Sequence, residues 1–268
     1  MGILNVTPDS FSDGGDFYRS DDAVERALQM VEEGADIIDI GGESTRPPGK
    51  AYGAGAKHIT TEEEFKRVLP VITDLRSRSD ILISVDTQKS YIANASLECG
   101  ANIINDVSAG TADERIFEVA AKRNAPIILM HGHGPRFPEM PVDEYIYDDV
   151  VTSVKAFLTE RIQAARSARV QTVLADVGIG FAKAYKDNLK LLKHHDEFES
   201  LAVPMVLGVS RKSTIGLAMG GNRPPKDRIV GSVAAAIYGV MHSAKIIRTH
   251  DVKETRDALA VLSAIDQA

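Results

Sequence analysis

The 268-residue sequence holds one cysteine, Cys99, so no disulfide can form within the chain and no multi-thiolate metal centre is available. A lone thiol of this kind reads as a small core residue. No stretch approaches the ~18 consecutive apolar residues of a membrane span. No basic segment leads into an apolar run at the N-terminus, so no secretory signal is visible and a cytoplasmic protein is expected. Positive charge is in deficit: 31 Lys and Arg against 38 Asp and Glu give a net charge of −7. Such a field repels nucleic acid and anionic membranes, so any anionic ligand must be caught by a local cluster of cations. Low-complexity tracts, charge runs and composition breaks are missing as well. A single domain over residues 1–268 is therefore expected, within the size of an α/β barrel.

What is present is a repeat. Short β-branched apolar runs at residues 3–6, 36–40, 81–85, 102–105, 126–130, 172–174, 204–209 and 245–248 alternate with amphipathic segments. Near-continuous apolar runs of that length fit parallel strands covered on both faces. Between them, Ala23, Ala27, Leu28 and Val31 form one helical stripe, and Val150, Val154, Phe157, Leu158 and Ile162 form another. Ala258, Val261, Leu262 and Ile265 supply a closing helix. Asp21 and Asp22 read as caps of the first helix, Thr60-Thr61 with Glu62 to Glu64 as the start of the second, and Gly34 as a C-terminal stop. The α/β pattern predicts a (β/α)8 TIM barrel, with a doubly wound open sheet as the structural alternative. Long loops at residues 7–20 and 43–59, after the first and second strands, fall on the same end.

Chemistry in such barrels sits at the carboxyl ends of the strands. Nearly every apolar run here ends in a polar residue: Asn5, Asp39, Asp86, Asn105, His131, Asp176, Ser210 with Lys212, and Arg248 with His250. One alone reads as a turn former; eight on one rim read as a site. Asp86, Asn105 and Asp176 suit the amino and ring-nitrogen edge of a flat heterocycle, because a carboxylate accepts two bonds from an amidine-like face. Arg46, Arg211, Lys212, Arg248 and His250 form a cationic set suited to an anion such as a diphosphate. Other motifs fail. Gly178-Ile179-Gly180 lacks the third glycine of a dinucleotide fingerprint. His131 and His133 imply no third metal ligand, and His194-His195 read as solvated.

Residues 1–15 (MGILNVTPDSFSDGG), 39–47 (DIGGESTRP), 84–90 (SVDTQKS), 105–110 (NDVSAG), 208–213 (GVSRKS) and 248–252 (RTHDV) closely resemble the dihydropteroate synthases, in order along essentially the whole chain. The resemblance implies a transferase of folate biosynthesis and a target of sulfonamides. Its reaction condenses 6-hydroxymethyl-7,8-dihydropterin diphosphate with p-aminobenzoate to give 7,8-dihydropteroate and diphosphate. It implies Mg2+ held at Asn5 with Asp13 in support, and diphosphate ligands Asn5, Thr45, Arg248 and His250. The pterin set becomes Asp86, Asn105, Met130, Asp176 and Lys212, with Ile104 packing beside it. The p-aminobenzoate set becomes Phe11, Arg46, Phe181, Lys212 and Ser213. Asp13, Asp86, Lys212, Arg248 and His250 carry the chemistry, which is dissociative and needs no protein nucleophile. A homodimer is implied too, with residues 230–240 and 259–265 available for an interface.

Three departures stand against the family pattern. Val177 replaces a proline, residues 130–134 (MHGHG) differ from the usual sequence, and the chain starts inside its first strand, either trimmed or with a more open barrel floor. A pterin-dependent methyltransferase would explain Asp86, Asn105 and Asp176 but not the cationic set. A non-catalytic pterin-binding relative would be favoured by loss of Asn5, Lys212 or Arg248, and all three are present.

Overall fold

The structure, a computed structural model, describes residues 1–6, 20–43, 59–132, 146–221 and 223–268. Its strands are β1 (Gly2–Asn5), β2 (Ile37–Gly41), β3 (Leu82–Asp86), β4 (Ile103–Asp106), β5 (Ile127–Met130), β6 (Val173–Asp176), β7 (Met205–Gly208) and β8 (Ala244–Arg248), each hydrogen-bonded in parallel to the next. Thr249 closes the circle: Ile3 N donates to its carbonyl at 2.9 Å, and its own N–H donates to Met1 O at 2.9 Å. The TIM barrel expected from the sequence is the observed fold. The predicted strands are correct to within a residue or two, the sixth running on through Asp176 rather than stopping at Leu174. A cavity of about 410 Å³ lies beside Met1, between β8 and the last helix.

The helices are α1 (Ser20–Glu32), α2 (Thr61–Arg78), α3 (Ser90–Glu98), α4 (Arg115–Arg123), α5 (Val150–Ser167), α6 (Tyr185–Lys193), α7 (Ser213–Ala218), α8 (Ile229–Met241) and α9 (Val252–Asp266). Thr60 caps α2 in a reciprocal box. Its hydroxyl accepts from Glu63 N at 3.1 Å, while Glu63 Oε2 accepts from Thr60 N at 2.8 Å. Asp21 and Asp22 do not cap α1 as expected. The helix begins at Ser20, so they lie inside its first turn and face the positive end of its dipole. Gly34 ends α1 at φ +96°, where a side chain would be strained.

Strand residues sort by parity. Ile37, Ile103, Leu174 and Ile246 from the even strands join Met1, Ile128 and Val206 in a small cluster inside the barrel. Alternate residues such as Ile38, Ile40, Ile83 and Val85 pack outward against helices, as do Leu129, Ala175 and Leu207 on the other side. Each fully buried Ile, Leu or Val contributes roughly 1.5–3 kcal/mol. Ile104 belongs to the outward cluster, so it is not the pterin-packing residue expected from the sequence. Its neighbours Ile103 and Asn105 take the inward positions.

A second correction concerns His195, expected to be solvated. It starts a 3-10 turn (His195–Leu201) and is 0% exposed. Its Nδ1 donates to His242 O at 2.8 Å, while Nε2 is buried with no partner among the described residues. Burial lowers its pKa below the ordinary histidine value, so the folded protein resists a proton that the unfolded chain accepts. Stability contributed by neutral His195 is therefore complete above about pH 6.5 and is lost as the pH falls below that value. Urea midpoints between pH 7.5 and 5 should decline less steeply in His195→Asn, which keeps a donor for His242 O but cannot titrate. Equal slopes would remove His195 as an acid-sensitive group.

Candidate active site

Parity carries the site upward from the barrel floor. Two residues beyond the inner apolar cluster, the even strands present Asp39, Asn105, Asp176 and Arg248, while β3, β5 and β7 end on Asp86, Met130 and Gly208. Four side chains from alternate strands make one layer of a TIM-barrel interior. Here the upper layer is polar and lies directly on an apolar one, where charge is held with little solvent.

The layer is one network. Arg248 Nε donates to Asp39 Oδ2 at 2.6 Å, its Nη2 donates to Asp86 Oδ2 at 2.7 Å, and Asn105 Nδ2 reaches Asp39 Oδ2 at 3.0 Å. The heterocycle set and the anion set expected from the sequence are therefore not separate in space, because Arg248 sits on Asp86. Burial holds the Asp86 carboxyl above the ordinary carboxylate range, against the pull of Arg248. Burial also works against the Arg248 charge, but Asp39 and Asp86 outweigh it and keep its pKa above the ordinary value. A Cβ on Gly41 would stand 3.3 Å from Asp86 Cβ, so glycine there leaves the carboxylate room to lean across β2.

The segment after β6 forms the next wall. Gly178 adopts φ +70°, and a Cβ there would lie 2.1 Å from His131 O. Val177, standing where the family pattern has proline, is fully buried in the outer core, and Asp176 Oδ1 accepts from Gly178 N at 2.7 Å. Lys183 pins this segment from beneath, donating to His131 O (3.0 Å), Gly178 O (3.0 Å) and Phe181 O (2.9 Å). Burial pushes its pKa well down, yet three acceptors need three N–H donors, which only the ammonium supplies. Asn188 adds a bond from Gly180 N at 2.6 Å, and Tyr147 OH donates to Ala182 O at 2.8 Å. Phe181 packs with Met130 and Val107, and Lys212 Nζ stands 4.6 Å from its ring centroid while donating to Ile179 O. Burial lowers the Lys212 pKa to about 8, with Asp176 opposing the shift.

Arg211, expected in the anion-binding set, is committed elsewhere. It sits at φ +58°, costly for a residue with a side chain. Ser232 Oγ accepts from its N–H at 2.8 Å, Arg228 Nη1 donates to its carbonyl at 2.8 Å, and its own Nε donates to Asp251 Oδ2 at 3.0 Å. This kink turns Arg211 away from Lys212 and starts α7, with Ser213 buried in its first turn. His250 shares Ser210 Oγ through its N–H (3.1 Å) and Nδ1 (3.0 Å). Its pKa is lowered to about 3 by burial and then by Arg248 and Arg211. The ring is neutral at pH 7, so His250, read from the sequence as potentially cationic, carries no charge there. His131, read as a rim residue, points outward and meets Phe157 edge-on at 4.9 Å.

Phe11, Asp13, Thr45, Arg46 and His133 lie outside the described residues. Glu43 and Ile59, which flank residues 44–58, are tied together. Lys89 Nζ donates to Glu43 Oε2 (2.7 Å), Ile59 O (3.2 Å) and Glu64 Oε2 (2.6 Å). Sequence reasoning placed Asp39 on the polar rim without a specific role and passed over Lys183 and Gly208. Asp39 carried a signal, since it shares the strand-end position of Asn105 and Asp176. A lysine in a loop carries none.

A barrel whose interior ends in three carboxylates and an amide around a guanidinium is the framework of a pterin-binding enzyme. The chain matches the family described as pterin binding enzyme over residues 1–250 and belongs to it. Within that family it stands with the dihydropteroate synthases. The synthase of Streptococcus pyogenes serotype M6 is 43% identical over 267 residues, covering 99% of this chain and 94% of the relative. The Xanthomonas albilineans synthase solved with 4-aminobenzoic acid superposes with a TM-score of 0.90 at 42% identity, over 100% of this chain and 92% of that one. The same enzyme in complex with 7,8-dihydropteroate gives 0.86 at 40% identity, over 100% and 93%.

Gly208 offers a test of where the ring lies. A methyl there would sit 3.6 Å from Asp176 Oδ2 and 3.9 Å from Arg248 Cβ, an ordinary contact the fold tolerates. It would fill the gap between those two side chains. Gly208→Ala should melt within a few degrees of the parent and lose at least about tenfold in pterin affinity by calorimetry, a cost of ~1.4 kcal/mol or more. Unchanged affinity would place the ring elsewhere.

Proposed function

We propose that this chain, as one barrel over residues 1–268, joins 6-hydroxymethyl-7,8-dihydropterin diphosphate to p-aminobenzoate in the cytoplasm and releases diphosphate. The observation that carries this reading is the layer of buried Asp86, Asn105 and Asp176 with half-buried Arg248, and Lys212 at its rim. Asp86, Asn105 and Asp176 take the donors of the heterocycle edge, with Met130 against its face. Arg248, His250 and Thr45 face the diphosphate. Phe11, Arg46, Phe181, Lys212 and Ser213 form the p-aminobenzoate side.

Asn5 is half-buried at the end of β1, and its carboxamide makes no hydrogen bond to a described residue. A neutral oxygen donor of that kind fits Mg2+, which takes one or two protein oxygens and fills the rest of its shell with water and phosphate. The family pattern gives Asp13, outside the described residues, a supporting role. The ion would neutralise charge on the departing diphosphate.

Arg248 shares that load through its guanidinium N–H groups, an electrostatic contribution of the largest class in enzymes. The carboxylates of Asp86 and Asp176 favour positive charge on the pterin methyl carbon as the C–O bond breaks. The amine of p-aminobenzoate attacks that carbon and then loses its proton, and Phe181 and Met130 keep water from competing. None of these steps requires a protein nucleophile.

Exposed Val230, Tyr238 and Met241 on α8 and Val261 and Ile265 on α9 supply an apolar surface for a homodimer. A sulfonamide, mimicking p-aminobenzoate, would compete at the Phe181 side.

The decisive experiment is diphosphate release with each of the pterin diphosphate, p-aminobenzoate and Mg2+ omitted in turn. Release that needs all three, with dihydropteroate formed, is expected. Pterin binding without product would favour the methyltransferase or non-catalytic reading.

Lys212 sets a pH limit. Its ammonium is present below its pKa of about 8 and is lost as the pH rises through that value, so KM for anionic p-aminobenzoate should climb between pH 7 and 9. Lys212→Arg, which cannot deprotonate in that range, should abolish the inflection even if its activity is low. An unchanged inflection would assign it to another group.

A further inference from the structure

Asp39 is 0% exposed and has no part in the roles assigned above. Its Oδ2 accepts from both Arg248 Nε (2.6 Å) and Asn105 Nδ2 (3.0 Å), while Oδ1 is buried with no hydrogen bond among the described residues. A buried carboxylate with an unsatisfied oxygen is an expensive way to stabilise a fold, since apolar residues of similar volume do as well or better. Arg248 carries its two carboxylates on different nitrogens: Nε on Asp39 and Nη2 on Asp86. The Asp86 oxygen that Arg248 occupies is one the heterocycle's donors must share or take over. A guanidinium freed entirely would swing on a long flexible side chain. One still held at Nε can only turn its outer edge.

We propose that Asp39 is a positioning residue, the fixed pivot on which Arg248 exchanges Asp86 for the diphosphate when the pterin binds. The inference rests on the synthase reading and adds an order to it. The heterocycle displaces Nη2 from Asp86, Nε stays on Asp39, and the released edge meets the diphosphate on the same substrate. Asp39 Oδ2 also accepts from Asn105 Nδ2 at 3.0 Å, a bond that needs only an oxygen acceptor, whereas the hold on Arg248 needs the carboxylate charge.

Asp39→Asn keeps the shape and removes the charge. In the full-length protein, calorimetry should show affinity for the pterin diphosphate falling at least about tenfold, as expected when a buried charge pair is truncated. Affinity for the hydroxymethyl pterin without diphosphate, and KM for p-aminobenzoate, should stay within about threefold. Because Asp39 acts through Arg248, adding Asp39→Asn to Arg248→Ala should cost less than about threefold more. Parent-like affinity for the pterin diphosphate in folded Asp39→Asn overturns the proposal, and so do losses that multiply.

Should Asp39→Asn fail to fold, Arg248→Lys tests the same point. Its single ammonium cannot stay on Asp39 through one nitrogen while another nitrogen turns, so it should show the same selective loss. Parent-like binding by that variant also overturns the pivot. The unaltered protein, assayed alongside, separates the two claims: no dihydropteroate from it sinks the synthase reading, whereas full activity with an insensitive Asp39→Asn sinks only the pivot.

Discussion

The half-buried guanidinium of Arg248, held between the buried carboxylates of Asp39 and Asp86, is the interaction on which the rest of the site depends. It stands one layer above an apolar barrel floor, so its charge has partners but little water. Removing one carboxylate from such a group leaves charge uncompensated, typically at about 3–5 kcal/mol. The surrounding glycines follow from the same constraint. Gly41 gives Asp86 room to reach across, and Gly208 leaves open the space between Asp176 and Arg248. A larger side chain at Gly41 would press on Asp86, and one at Gly208 would fill the space between Asp176 and Arg248.

Around that centre the loops are held by side chains that satisfy backbone groups. Lys183 gathers three carbonyls beneath the Phe181 segment, Arg228 and Ser232 hold the strained Arg211, and Lys89 ties Glu43 to Ile59. Buried carbonyls left without donors would each cost about 1–3 kcal/mol. These cations therefore order the loops and place the groups that face the substrate. Lys212 owes its position over Phe181 to Lys183 on one side and to the Arg211 kink on the other.

The barrel was legible in the sequence because strands covered on both faces read as apolar runs, and strand ends on a catalytic rim read as polar stops. Asn105, Asp176 and Arg248 were found that way. The same continuous runs hide which residues point inward, which is why Ile104 was assigned to the pocket and Asp39 was given no specific role. His250 looked cationic, and its neutrality comes from Arg248, Arg211 and burial, none of which is a local feature. Arg211 and Lys212 are adjacent, and only the left-handed backbone at Arg211 sends them to different partners. The His194-His195 pair reads as polar surface until the turn after α6 carries His195 under the backbone of His242.

The most direct test of this account is a crystal structure of the protein with a pterin and diphosphate bound together. The account predicts the ring edge on Asp86, Asn105 and Asp176 beside Gly208, with Arg248 still on Asp39 and its outer edge turned to the diphosphate. A heterocycle seated outside that layer, with the Arg248–Asp86 pair intact, would contradict it.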